Sequence, residues 1–192
     1  ENGKTPDAQI LSDGDFAAVA ARIDRPVVLI GLMGTGKSTV GRKLAGLMDK
    51  HFVDADDAIV EAAQMSITEI FEHYGEQYFR DGERRVIARL MDEHDGVIAT
   101  GGGAFVDPET RKLILEKAIA VWIDCDIDIL VERTSRKNTR PLLRNGDPHE
   151  ILSRLHRERE PFYSQAPIRV ASDDGPHLQT AIAIIEAIDQ WL

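Results

Sequence analysis

Residues 31–39 read Gly-Leu-Met-Gly-Thr-Gly-Lys-Ser-Thr, which fits the pattern G-x-x-x-x-G-K-[ST] of a phosphate-binding loop. Its flanks carry as much weight as the pattern. The run Pro26-Val27-Val28-Leu29-Ile30 is short, apolar and β-branched, as a buried strand should be. Beyond Lys37, the apolar residues Val40, Leu44, Leu47 and Met48 recur at helical spacing. Strand, glycine loop and helix in that order commit the chain to an α/β fold with the loop at the carboxyl end of a strand. Glycines let successive N–H groups turn inward around an anion. The helix N-terminus behind them adds about half a positive charge. Lys37 can then reach the outer phosphates of a nucleotide, and the Ser38 hydroxyl can ligate Mg²⁺.

The rest of the chain alternates in the same way. Strands are predicted at 27–31, 51–54, 97–100, 120–124 and 168–170. Helices are predicted at about 37–49, 56–64, 67–75, 76–93, from Pro108, at 127–136, at 148–159 and at 176–191. Ser66-Ile67-Thr68-Glu69 matches a capping box and starts the helix at 67. Phe79, Val86, Ile87, Leu90 and Met91 should face inward. Pro161 should interrupt the helix before it, and Leu178, Ile182, Ile185, Ile188 and Trp191 should share the buried face of the last one. Ahead of the first strand, Ser12 or Asp13 can cap a short helix with Phe16, Val19, Ala20 and Ile23 on one side. Residues 1–9 read as a disordered tail. The pattern is that of a three-layer α/β/α domain around a five-stranded parallel sheet.

Composition narrows the partners. With 192 residues, one domain with a lid is expected. The net charge of −10 argues against nucleic acid, which needs a basic face. No apolar run is long enough to span a membrane, and a single cysteine, Cys125, suits a reducing cytoplasm. The six histidines show no zinc-ligand spacing. In so acidic a chain, the segment Arg133–Arg144 holds five cations and no acid. It reads either as a solvated charge run or as a lid that brings an arginine to a transferring phosphoryl group and excludes water.

Three more features fall at strand ends. Asp54 and Asp56 follow the second strand. One could hold a metal ion and the other orient a hydroxyl acceptor and take its proton, although Asp56 or Asp57 could equally be a helix cap. Asp124 ends the fourth strand and competes with Asp54 for the metal-associated role; pattern alone does not choose. Gly101-Gly102-Gly103 follows the third strand, either as a plain turn or as a place of close approach to a ligand. Arg80 and Arg159 are further candidates, set against local pairing along their helices.

Assembled in order, the segments 31–45 (GLMGTGKSTVGRKLA), 52–59 (FVDADDAI), 66–83 (SITEIFEHYGEQYFRDGE), 97–105 (VIATGGGAF), 133–143 (RTSRKNTRPLL) and 157–166 (REREPFYSQA) resemble the shikimate kinase family. The resemblance implies a nucleoside-monophosphate-kinase-like P-loop fold over residues 26–192, with strand order 2-3-1-4-5. Substrate-binding helices would lie at about 56–93 and a lid at about 137–149, and residues 1–25 form an extension outside the family core. It implies ATP-dependent phosphorylation of the 3-hydroxyl of shikimate on the route to chorismate and aromatic amino acids, with Mg²⁺ as cofactor, by a cytoplasmic monomer. By matching positions, Gly34, Thr35, Gly36, Lys37, Ser38 and Thr39 hold the ATP phosphates. Ser38 and, through water, Asp54 hold the metal. Asp56 is the base, Arg80 and Arg159 clamp the shikimate carboxylate, and Gly101, Gly102 and Gly103 contact the ring. Arg140 reaches the phosphates from the lid and Arg133 flanks the adenine. The acidic stretch 171–175 departs from the basic or polar adenine loop of many relatives. A gluconate kinase on the same fold and a non-catalytic nucleotide switch are the rival readings.

Overall fold

A computed structural model describes residues 11–136 and 146–192. Five strands form its sheet: β1 (Val27–Ile30), β2 (Phe52–Asp54), β3 (Val97–Ala99), β4 (Ile119–Cys125) and β5 (Ile168–Ser172). All neighbouring pairs are parallel, in the order β2-β3-β1-β4-β5. The order is the expected one, and it reverses direction across β1. A crevice therefore opens at the carboxyl ends of β1, β3 and β2.

Alternation along the strands feeds two cores. Val27, Leu29, Val97, Val121, Ile123 and Ile168 point to one face. There they meet α1 (Asp13–Arg22), α2 (Lys37–Leu47) and α8 (His177–Trp191). Val28, Ile30, Ile98, Ala120 and Trp122 point to the other. That face is covered by the second half of α4 (Ile67–Glu93), α5 (Pro108–Lys117), α6 (Ile127–Ser135) and α7 (Pro148–Tyr163). The helix α3 (Ala55–Ala63) and the first half of α4 lean off the end of the sheet over a small cluster of their own: Ile59, Ile70 and Phe79.

Local chemistry explains the element ends. Ser12, not Asp13, caps α1 in a full capping box with Asp15. At α4 the Ser66 hydroxyl accepts from the Glu69 N–H, but the Glu69 carboxylate bonds the Ser66 hydroxyl and not its backbone. Gly75 interrupts α4 with φ 82° and ψ 172°, so its two halves meet at a kink as the sequence anticipates.

Phe16, Val19 and Ala20 of α1 and Ile23 at its C-cap share one side as expected and belong to the first core. Several other expectations need correction. The helix α7 runs through Pro161 to Tyr163. The missing N–H falls in the last turn and removes one hydrogen bond where the helix is already ending. In α8 the buried face is Ala181, Ile184, Ile185 and Ile188, while Leu178 and Trp191 are exposed and Ile182 is half-buried. Apolar residues cover more than one stripe of that helix, so periodicity alone could not index it. Val86 is likewise only half-buried. The expected tail at residues 1–9 lies outside the described residues. So does most of the expected lid, although His149 already belongs to α7. No helix among the described residues is long and apolar enough to cross a membrane.

Candidate active site

The glycine loop joins β1 to α2. Gly36 takes the left-handed conformation (φ 87°) as the helix N-cap, and no side chain caps the helix. The first-turn N–H groups are thus left for an anion. Thr35, 1% exposed, braces the loop by donating from Oγ1 to the Leu32 carbonyl at 2.9 Å. Lys37 Nζ donates to the Gly31 and Leu32 carbonyls, each at 2.8 Å, which holds the ammonium over the loop. Arg133 donates to the Gly34 and Thr35 carbonyls at 3.3 Å and to the Asp173 carbonyl at 2.6 Å, stitching the loop to the segment after β5. A cavity of about 670 Å³ opens above, lined by Gly34, Gly36 to Thr39, Asp54, Asp56, Arg133 and His177 among others. Thr35 braces from below and is not among the lining residues.

The two aspartates divide their labour. Asp54 caps α3: Oδ1 accepts from the Asp56 and Asp57 N–H groups at 2.9 and 3.3 Å, and Oδ2 accepts from Ser38 Oγ at 2.5 Å. Because Asp54 does the capping, the carboxylate of Asp56 is left for the cavity. Burial and the neighbouring Asp54 charge push the Asp56 pKa up, partly offset by Lys37 and Arg80. Asp124 is occupied elsewhere. Its oxygens pair with His156 Nε2 at 3.2 Å and with Arg169, whose guanidinium also covers the Trp122 ring. Of the two, Asp54 is the one joined to Ser38.

The glycine triplet explains itself residue by residue. A Cβ at Gly101 would stand 2.9 Å from Asp56 Oδ1, and one at Gly102 would stand 2.8 Å from Arg159 Nη1. One at Gly103 would collide with the Arg80 guanidinium. Each glycine therefore makes room for one candidate side chain, and three distant segments converge on a single turn. Beyond Gly103 lies a second cavity of about 440 Å³, lined by Glu76, Gln77, Arg80, Gly103, Val106, Asp107 and Arg159. Arg159 Nη1 is buried there without a hydrogen-bond partner among the described residues. A buried, unmatched guanidinium donor is a site for an anion.

Three residues of the site were not anticipated. Glu83, 1% exposed, pairs with Arg80 at 2.7 Å, and burial pushes its pKa up to about 7 against the pull of that arginine. The signal was present: position 83 lies one turn after Phe79 and one turn before Ile87, on the buried stripe. Tyr163, 1% exposed, donates its hydroxyl to the Gly102 carbonyl. His177 lays its ring 2.7 Å from where a Cβ at Gly36 would be, and burial holds its pKa low. Tyr163 falls within the segment 157–166 that carries the family resemblance, but no role was read for it there, and no sequence pattern marks His177. Arg140 lies outside the described residues.

The shikimate kinase family model matches residues 33–189. A shikimate kinase of Novosphingobium aromaticivorans is 60% identical, with 97% of this chain and 98% of that protein aligned. One from Caulobacter vibrioides is 49% identical over 99% of this chain and 98% of its own length. Among solved structures, the shikimate kinase from Acinetobacter baumannii in complex with shikimate superposes with TM-score 0.83 at 33% identity, covering 90% of this chain and 97% of that one. A gluconokinase from Sinorhizobium meliloti reaches TM-score 0.58 at 16% identity over 88% and 97% of the two chains, a likeness of fold alone. The chain belongs to the shikimate kinase family.

Proposed function

We propose that this cleft transfers the γ-phosphoryl group of ATP to the 3-hydroxyl of shikimate, giving shikimate 3-phosphate and ADP on the route to chorismate and aromatic amino acids. The observation that carries the assignment of roles is the stacking of Asp56, Arg159 and Arg80, in that order, over Gly101, Gly102 and Gly103. This stack joins the phosphate cavity to the second cavity. A carboxylate clamped by Arg80 and Arg159 leaves the hydroxyl-bearing side of a small ring toward Asp56. The position of that one carboxylate then selects the hydroxyl.

In this mechanism Asp56 orients the acceptor hydroxyl and takes its proton. Its raised pKa makes it a better base than an exposed aspartate. Lys37 and the open N-terminus of α2 stabilise the charge that spreads over the phosphoryl oxygens. Gly34 to Thr39 hold the phosphates, Arg133 borders the base side, and Arg140 closes from the lid. Ser38 Oγ and Asp54 Oδ2, hydrogen-bonded to each other at the cavity, fit a small hard cation that draws its other ligands from phosphate and water. Mg²⁺ held there would neutralise charge on the outer phosphates. We place the reaction in the cytoplasm, consistent with a free, buried Cys125, and assign it to a monomer.

The test is an ADP-release assay with shikimate and, separately, gluconate. Turnover is expected with shikimate alone. Turnover with gluconate and none with shikimate would assign the acceptor pocket to the rival hydroxy acid. ATP binding without turnover on either acid would make the protein a nucleotide switch.

A further inference from the structure

Tyr163 occupies the last turn of α7, one turn beyond Arg159, with its ring 5.8 Å from that of Trp122. Its hydroxyl donates to the Gly102 carbonyl. The Arg159 guanidinium lies against both: it is the residue a Cβ at Gly102 would strike first, and it bears on the phenol itself. Burial is the largest influence on that phenol and raises its pKa, so the hydroxyl keeps its proton and remains a donor.

A run of three glycines has no side chain with which to fix its own peptide planes. The planar peptide supplies the link: with the Gly102 carbonyl held toward Tyr163, the Gly103 N–H must point to the opposite side. Among the described residues none of the Gly101, Gly102 and Gly103 N–H groups donates to a backbone acceptor. Gly103 borders the second cavity beside Arg80 and Arg159.

We propose that Tyr163 is a positioning residue for the acceptor: its hydroxyl sets the Gly102–Gly103 peptide plane and the Arg159 guanidinium together, so that shikimate meets donors already in place. The inference rests on the assignment of Arg159 and the glycine turn to acceptor binding. Tyr163 touches neither reacting atom; it acts through its neighbours.

The substitution Tyr163→Phe removes one oxygen and keeps the ring. It should raise the shikimate KM about tenfold, the scale of one hydrogen bond in a charged network, with a smaller fall in kcat and no change in the ATP KM. In ¹⁵N spectra the Gly103 amide should shift on shikimate addition in the parent protein and broaden in the variant. Leu152→Ala, a fully buried change on the same helix, controls for lost packing. An unchanged shikimate KM in Tyr163→Phe would overturn the proposal. A rise in both substrates' KM, or an equal shikimate effect in Leu152→Ala, would also overturn it by reducing Tyr163 to packing. Arg159→Lys separates the underlying assignment. If it leaves the shikimate KM unmoved, the acceptor clamp is wrong and this inference falls with it. If it raises that KM while Tyr163→Phe does not, only the positioning role fails.

Discussion

The two walls of the cleft are built differently. The nucleotide wall grows out of the sheet, between clusters of twenty and eighteen buried residues on its two faces. The outer acceptor wall, α3 and the first half of α4, rests on three: Ile59, Ile70 and Phe79. Polar groups follow the same division. Around the phosphate loop, Thr35, Lys37, Ser38 and Arg133 all have protein partners. On the acceptor side, Arg159 Nη1 has none among the described residues and Glu83 is a nearly inaccessible carboxylate with a strongly raised pKa. One wall is preset by packing. The other sets a lightly anchored helix pair beside an arginine donor left for a ligand, an arrangement suited to closing on an anion.

The largest effect should come from the seam between them. Asp56→Asn is expected to lower kcat by about 10²–10⁴, the range for losing a general base. ADP affinity, measured by titration calorimetry, should stay near that of the parent because the phosphate loop does not depend on Asp56 for its shape. Loss of ADP binding in this variant would break the comparison, since the walls would then not be independent. The next effect concerns packing. Leu44→Ala, fully buried in the first core, should cost about 3 kcal/mol in denaturant unfolding. Ile70→Ala should cost less globally, yet speed hydrogen exchange of α3 and the first half of α4. Equal global costs would mean that the small cluster is part of the main core.

A smaller effect is expected at the clamp. Arg80→Lys keeps the charge but loses the planar fork, and should raise the shikimate KM about tenfold without moving the ATP KM. How this clamp came to be visible shows what a sequence can reveal. The phosphate loop was legible because its parts are consecutive: glycines, lysine and hydroxyl lie within nine residues, between a strand and a helix with clear patterns. The parallel sheet followed from alternation. The clamp was found only through family resemblance, because Arg80, Arg159 and Gly101–Gly103 lie far apart in sequence and meet only after folding. The helix cap was also hidden: Asp56 or Asp57 was the expected candidate, and the hydrogen bonds give that task to Asp54. The face of α8 and the helical course through Pro161 were misread for a related reason. A helix whose apolar residues cover more than one stripe and a last-turn proline are resolved by tertiary packing, not by local propensity.

The smallest effect probes the buried carboxylate of the acceptor wall. Glu83 has its pKa raised from the ordinary 4.5 to about 7. Between those values the folded protein holds a proton that the unfolded chain has released, so stability must fall as pH rises through this window. The contribution is fully present below about pH 4.5 and is lost above about pH 7. Glu83→Gln mimics the protonated form at every pH. It should match the parent at pH 4.5 and exceed it at pH 8 in urea unfolding. The same substitution takes from Arg80 its ionised partner, so above pH 7 the shikimate KM should rise a few-fold while stability improves. Opposite signs in one variant would mark a carboxylate kept for holding the clamp at the expense of folding. A loss of stability at pH 8 would instead mean that the Arg80 pair outweighs the burial of its charge, and that the acceptor wall is as well compensated as the nucleotide wall.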